Sequence, residues 1–338
     1  MKILLLQLKR IGDLILTTPA IAALRERFPE AHVTMVVSSE CADLLPAISG
    51  VDRMLMARRN LTDLAAFLAV AGKKFDYCVD FTRNDRSAFL ALLSKARKRI
   101  VSYRVRDQSR SRALLYTDFV SIRMRDLHTI DYNLSLLEPL GIGDASSSLR
   151  LQLPQSAHEE AAALRGKWNL CKPFIVLHPG SARREKLWEA PRWRQVIKEF
   201  GRNNQMDLIL TSGTSKHEQM HIAPIKNETK IIDFSGKTNL LTLAALISDA
   251  RLLVTVDSAP MHLAAATHTP QVILFGPTNP FHWRPRESPA LILQGKIPEP
   301  VAEFSPVQPR LPMSQISTEA VIRAMNSLLS HHATARTS

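Results

Sequence analysis

Near the start of the chain, Ile3 to Leu8 form a nearly unbroken apolar run, the pattern of a parallel strand covered on both faces. Gly12 and Asp13 follow it. Apolar positions then recur with helical spacing from about Thr17 to Phe28, with Pro19 near the first turn. Strand, glycine loop and helix open a βαβ unit. The alternation continues with strands expected at His32 to Val37, Arg53 to Met56, Cys78 to Phe81 and Arg99 to Tyr103, and helices at Cys41 to Ile48, Leu61 to Ala71, Ser87 to Leu93 and Asp131 to Leu140.

The rhythm restarts in the second half. Pro173 precedes an apolar strand at Phe174 to His178, and further strands are expected at Asp207 to Thr211, Lys230 to Phe234, Leu252 to Val256 and Val272 to Phe275. Helices are expected at Pro191 to Phe200, Lys216 to Ile222, Leu240 to Ile247 and Met261 to Ala266. Pro298, Pro300, Pro306, Pro309 and Pro312 make the stretch from Lys296 to Pro312 an extended connection, after which Ser317 caps a final helix to about Leu329. His331 to Ser338 reads as a frayed tail. The fold class is therefore α/β with parallel sheets: a first domain over 1–155, an interdomain linker region over 156–172 that includes an alanine-rich helix, a second domain over 173–313 and a closing helix over 314–330.

A length of 338 residues with 45% apolar content agrees with two domains. Lys and Arg number 44 against 31 Asp and Glu, a formal charge of +13 that favours anionic partners such as nucleic acid, anionic lipid or a phosphorylated glycolipid. Much of the excess is local, in Lys95, Arg97, Lys98, Arg99, Arg104, Arg106, Arg110, Arg112, Arg123 and Arg125. Such a run is often only a solvated face. Cys41, Cys78 and Cys171 are too few and scattered for a zinc cluster or a disulfide framework, which fits a reducing compartment. Gln7, Lys9 and Arg10 break the N-terminal apolar stretch before it reaches spanning length, so neither a transmembrane helix nor a signal peptide is expected.

Four strand ends carry candidate chemistry. Lys9, Arg10, Ile11, Gly12 and Asp13 follow the first strand, where α/β proteins bind ligands; Asp13 can accept a proton from an alcohol or merely cap the next helix. Gly12 stands alone, so the dinucleotide fingerprint GxGxxG is not met. His178, Pro179, Gly180, Ser181 and Ala182 form a turn whose amides suit a phosphate, with Lys186 placed to neutralise a diphosphate and Trp188 as a core anchor. The spacing of an ATPase P-loop is missing. Asp257, Ser258, Ala259 and His262 lie at a further strand end, but Ser258 lacks the GxSxG setting of a hydrolase nucleophile. Gly276 and Thr278 offer a fourth turn for phosphate or ribose, beside a rim of Pro280, Trp283 and Pro285.

The segments KRIGDLILTTPAIAALRERFP, HPGSARREKLW and VTVDSAPMHLAAATHTPQVILFGPTNP, in that order, resemble the bacterial lipopolysaccharide heptosyltransferase family, glycosyltransferase family 9. FDYCVDFTRNDRSAF and HTIDYNLSLLEPLG are more similar to its heptosyltransferase III, or core-branching, subgroup. The resemblance implies a GT-B architecture of two Rossmann-like domains with a cleft between them, the acceptor bound by the first domain and the ADP-sugar by the second, with the final helix crossing back onto the first.

It further implies that Asp13 is the general base and that Lys186 stabilises the departing diphosphate. Ser181, Ala182, Lys186, Asp257, Ser258, Ala259 and His262 would contact the ADP-sugar, Ala259 standing where the family frequently has glycine. Thr211, Ser212, Gly213 and Glu218 lie in the intervening nucleotide loop, and no ribose-binding acid is assigned among them. The implied reaction is inverting transfer of L-glycero-D-manno-heptose from ADP-heptose to a heptose hydroxyl of the lipopolysaccharide inner core, without metal or separate cofactor. The implied enzyme is cytoplasmic and peripheral to the anionic inner membrane, and its acceptor is a phosphorylated core. Transfer of another nucleotide-activated sugar, or non-enzymatic binding of nucleotide or nucleic acid, are the rival readings.

Overall fold

The structure, a computed structural model, describes residues 1–58, 63–202, 206–229 and 231–334. The chain divides into two compact units, Met1–Gln152 and Leu153–Ser338. In the first, β1 (Lys2–Gln7), β2 (His32–Ser38), β3 (Arg53–Ala57), β4 (Tyr77–Asp80), β5 (Lys98–Ser102) and β6 (Asp118–Val120) form a sheet in the order β3-β2-β1-β4-β5-β6. Every pairing is parallel, with Ile3 of β1 opposite Val33 on one side and Tyr77 on the other. Ile3, Leu4, Leu5 and Leu6 are fully buried, as a central strand covered on both faces requires.

The second unit repeats the plan with β7 (Phe174–His178), β8 (Asp207–Leu210), β9 (Ile232–Asp233), β10 (Leu252–Val256), β11 (Gln271–Phe275) and β12 (Ala290–Gln294), in the order β12-β11-β10-β7-β8-β9, again parallel throughout. In each sheet the chain runs outward from a central strand to one edge, then returns to build the other side. The direction of winding therefore reverses between β1 and β4, and between β7 and β10. At such a reversal the adjoining loops diverge and leave a crevice beyond the carboxyl ends of the strands.

Several boundaries differ from the sequence expectation. Gly12 and Asp13 are not in a loop: they lie in a short helix, Ile11–Ile15, ahead of the helix Thr18–Arg27. The expected 156–172 linker is mostly the helix Gln155–Gly166, which belongs to the second unit. It packs on the helix Leu240–Asp249, Glu160 accepting from Thr242 Oγ1 at 2.5 Å and Arg165 pairing with Asp249 at 3.1 Å. The closing helix, Thr318–Thr334, turns Ala320, Val321, Ala324, Met325 and Leu328 into the core of the second unit. That spacing leaves one apolar stripe, and the second sheet's β10, β11 and β12 receive it. Leu61 and Thr62 of the expected helix, Lys230 of the expected strand and residues 335–338 of the tail fall outside the described residues. Among the described residues, no helix is long and apolar enough to cross a membrane.

Candidate active site

At the reversal in the first unit, local polar contacts build the helical turn that carries Asp13. Gln7, buried at the end of β1, donates from Nε2 to Thr17 Oγ1 at 2.8 Å, and Thr17 Oγ1 donates to the carbonyl of Asp13 at 2.7 Å. Asn133, on the helix Thr129–Ser135, donates to the Leu16 carbonyl at 2.9 Å. These buried polar residues had drawn no functional attention in the sequence. Their signal was polarity inside otherwise apolar segments, which folding tolerates only when such groups are paired.

The Asp13 carboxylate is not a cap. Arg10 and Thr17 occupy the cap positions of the two helices, and neither makes a side-chain cap bond. Asp13 instead lies 3.8 Å from Lys9 Nζ, with 14% of its side chain exposed. Burial lowers the Lys9 pKa, while the Asp13 charge opposes that shift. The nearby Cys41 thiol is pushed up to about 12, by burial and then by Glu40 and Asp13, so it stays protonated and is no nucleophile.

The second unit brings most of the expected donor residues to its own reversal. Lys186, in the short turn Arg184–Lys186 after β7, places Nζ 2.6 Å from Asp257 Oδ2 and 3.3 Å from the Asp257 carbonyl. Thr278 Oγ1 donates to the same carboxylate oxygen. The helix Ala259–Ala266 begins beside them, and its N-cap Ser258 makes no side-chain cap bond. His262, buried in that helix, is driven down to about 4 by desolvation, with Asp257 and Lys186 acting in opposite directions. It is therefore neutral at pH 7, and its buried Nδ1 has no hydrogen-bond partner. Ser181 is buried and accepts from the Arg183 amide at 3.2 Å, whereas Ala182 is exposed.

Glu218 was left unassigned by the sequence because its place depends on two strand ends at once. A Cβ on Gly180 would lie 2.5 Å from one Glu218 carboxylate oxygen, and one on Gly213 would lie 2.4 Å from the other. The glycines after β7 and β8 thus make room for this carboxylate, and Ser215 Oγ donates to it at 2.8 Å. His178, lowered to about 4 by burial, shares a 2.9 Å hydrogen bond with Thr211 beneath them.

Gly276 has a different reason for its size. The Met313 sulfur would lie 2.5 Å from a Cβ there, so the space is filled by packing rather than held for phosphate. Trp188 is a core anchor, fully buried edge-on to Trp193 at 5.2 Å, with its indole N–H on the Ile316 carbonyl at 3.1 Å. Among the described residues, no group of three or more His, Cys, Asp or Glu side chains is arranged to hold a metal ion.

Two doubly wound parallel-sheet units, each with polar and charged groups at its strand-order reversal, make up a fold of the GT-B type. The chain belongs to glycosyltransferase family 9, the heptosyltransferases, whose family profile matches residues 64–308. It is 28% identical over 285 residues to lipopolysaccharide heptosyltransferase 3 of Escherichia coli K12, covering 81% of this chain and 82% of that one. A crystal structure of a family 9 glycosyl transferase from Veillonella parvula superposes with a TM-score of 0.83 at 26% identity, over 98% of this chain and 97% of that one. The Escherichia coli ADP-heptose heptosyltransferase II shares the fold, with a TM-score of 0.78 at 19% identity over 98% of this chain and 100% of that one. Family membership sets aside the non-enzymatic reading.

Proposed function

We propose that this enzyme transfers L-glycero-D-manno-heptose from ADP-heptose to a heptose hydroxyl of the lipopolysaccharide inner core, as a core-branching heptosyltransferase. The observation that carries the reading is the placement of Asp13 and of the Lys186–Asp257 pair at the two strand-order reversals. The similarity to lipopolysaccharide heptosyltransferase 3 supports the heptosyl group, the acceptor class and the subgroup.

In the proposed step the Asp13 carboxylate takes the proton of the accepting hydroxyl as its oxygen attacks the anomeric carbon of the donor. The bond from that carbon to the β-phosphate oxygen breaks, ADP leaves with the bonding pair, and the single displacement inverts the anomeric centre. Lys186 has three N–H donors, of which Asp257 engages two, leaving one for the leaving diphosphate. Asp257 orients this lysine, while the amides around Ser181 and Ala182 and the start of the Ser258–Ala259 helix supply further donors. In this reading Glu218 accepts from the vicinal hydroxyls of a ribose and neutral His262 donates to a phosphate oxygen, roles supported by the room Gly180 and Gly213 leave for the carboxylate and by the unpartnered His262 Nδ1. The scheme needs no metal.

Arg99 and Arg112 in the basic run are structural: Arg99 donates to the carbonyls of Leu115 and Ala96, and Arg112 pairs with Asp85 at 2.7 Å. The other eight basic side chains are exposed, a surface suited to a phosphorylated core or the cytoplasmic face of an anionic inner membrane. Incubation with ADP-heptose and truncated core glycolipid, followed by mass spectrometry, tests the reading. One heptosyl increment is expected. Its absence, with an increment from UDP-, GDP- or CMP-sugars instead, overturns the donor assignment in favour of the rival glycosyltransferase reading.

A further inference from the structure

The reversal in the first unit holds a second cation that the transfer scheme does not use. Arg83 follows β4 and takes a φ of 67°, a region in which non-glycine residues are uncommon. The turn is held from several sides. Buried Asp80 accepts from the Thr82 amide at 2.7 Å, the Arg83 amide at 3.1 Å and Tyr116 Oη at 2.5 Å. Arg112 donates to the Arg83 carbonyl at 3.1 Å. Thr82 Oγ1 accepts from the Leu8 amide at 2.7 Å and donates to the Leu6 carbonyl at 3.2 Å, tying this turn to the end of β1 just before Lys9.

The guanidinium so positioned is poorly satisfied. Its central carbon lies over the Tyr132 ring, 5.1 Å from the centroid. Nη2 reaches the Met124 sulfur at 3.1 Å, a weak acceptor, and Nε and Nη1 are buried without a hydrogen-bond partner. Folded proteins pair nearly all buried charged donors, because an unmatched one keeps the whole cost of leaving water. Nor is Arg83 alone: its charge reaches Lys9 strongly enough to help lower that lysine's pKa, alongside burial. Two cations are thus brought to adjacent strand ends, Lys9 3.8 Å from Asp13 after β1 and Arg83 after β4 on a turn that Asp80, Tyr116 and Arg112 keep in a strained conformation.

We propose that Arg83 and Lys9 form an oxyanion-binding site in the first unit, which takes a phosphate or carboxylate borne by the acceptor near its reacting hydroxyl. The identity of the carrier rests on the heptosyltransferase reading above; binding of the anion does not. A guanidinium with unpartnered Nε and Nη1 donors can give a charge-assisted hydrogen bond to an oxygen of either anion, and Lys9 adds a point charge. Asp80 is the positioning residue of the site.

The test uses the full chain saturated with ADP, so that inorganic phosphate cannot report on the donor site. Titration calorimetry should show phosphate binding to the wild type and a loss of about tenfold or more in R83M, with ADP affinity and melting temperature retained. R83Q decides by the same comparison should R83M fail to fold. Equal phosphate binding by wild type and variant, or none by the wild type, overturns the site. Failure to bind ADP instead counts against the transferase reading and leaves the phosphate comparison intact. With core glycolipid as substrate, R83M should raise KM for the acceptor far more than it lowers kcat. Phosphatase treatment of the acceptor should raise the wild-type KM if phosphate is the ligand, and leave it unchanged if a carboxylate is.

Discussion

Asp13 and Lys186 are ion-paired in opposite senses, and that governs what their removal should do. Asp13 faces Lys9 at 3.8 Å, a loose contact. Asp13→Asn should therefore keep the fold and ADP affinity while transfer falls by about a hundred- to ten-thousand-fold, the range for loss of a positioned base; single-turnover kinetics with normal transfer in that variant would refute the assignment. Lys186 is bound tightly, at 2.6 Å, to a carboxylate only 7% exposed. Lys186→Ala should weaken ADP binding and also lower stability, because Asp257 then keeps its buried charge without a cationic partner, Thr278 still donating to it; unchanged ADP affinity in calorimetry removes Lys186 from the donor site. The buried histidines add a pH dependence whose sign is fixed. His178 and His262 both titrate at about 4 in the folded protein, against about 6.5 unfolded, so below pH 6.5 the unfolded chain binds protons that the native protein refuses. Stability should fall as pH drops from 6.5 to 4, by about 3 kcal/mol per histidine, and be unaffected above 7. Urea unfolding of His178→Asn and His262→Gln across that range should show a flatter acid limb than the wild type; parallel curves would mean that these rings do not titrate as described.

At the scale of elements, the closing helix illustrates what packing decides and sequence pattern cannot. Its stripe of Ala320, Val321, Ala324, Met325 and Leu328 was readable as helical, but a stripe names no partner. Met325 is fully buried in the second unit's core, so Met325→Ala should cost about 2–5 kcal/mol and lower the unfolding midpoint; a loss under about 0.5 kcal/mol would place the helix outside that core. The same distinction separates legible elements from missed ones. β1, β7 and β10 are continuous apolar runs because both faces of a central parallel strand are covered, and each was anticipated to within about a residue. β6 is only Asp118, Phe119 and Val120, set among arginines, and pairs with β5 alone. β12 is apolar enough to recognise, but only the four-residue helix Pro280–Trp283 lies between it and β11, which breaks the strand-helix rhythm. The turn carrying Asp13 is five residues long, too short for a helical period to show. Asp13, Lys186 and the Asp257–His262 segment were legible since each sits at one strand end. Glu218 and Arg83 were not, as their settings are assembled from residues far apart in the chain.

The molecule as a whole is built from two units with separate sheets and separate cores, and this bears on how the enzyme uses its length. Residues 153–338 carry Ser181, Lys186, Glu218, Asp257 and His262, together with the helix Gln155–Gly166 and the closing helix that completes their core. Residues 1–152 carry Lys9, Asp13, Asp80 and Arg83 around a core of their own. At about 150 and 185 residues, each lies well within the size range that a single core sustains. The fragment Leu153–Ser338, expressed alone, should unfold cooperatively and bind ADP with an affinity close to that of the full chain. Met1–Gln152 should fold without binding ADP, and neither fragment should transfer sugar, since the proposed base, Asp13, and the proposed leaving-group contact, Lys186, lie in different units. A cut at residue 172, where the sequence placed the end of a linker, should instead destabilise the second fragment: it removes the Thr242–Glu160 and Arg165–Asp249 contacts along with the helix that makes them. Calorimetric ADP titrations and urea unfolding of the two C-terminal fragments, starting at 153 and at 173, decide the matter. Equal stability of the two would mean that the helix Gln155–Gly166 is a linker after all, and failure of the longer fragment to bind ADP would move part of the donor site to the first unit.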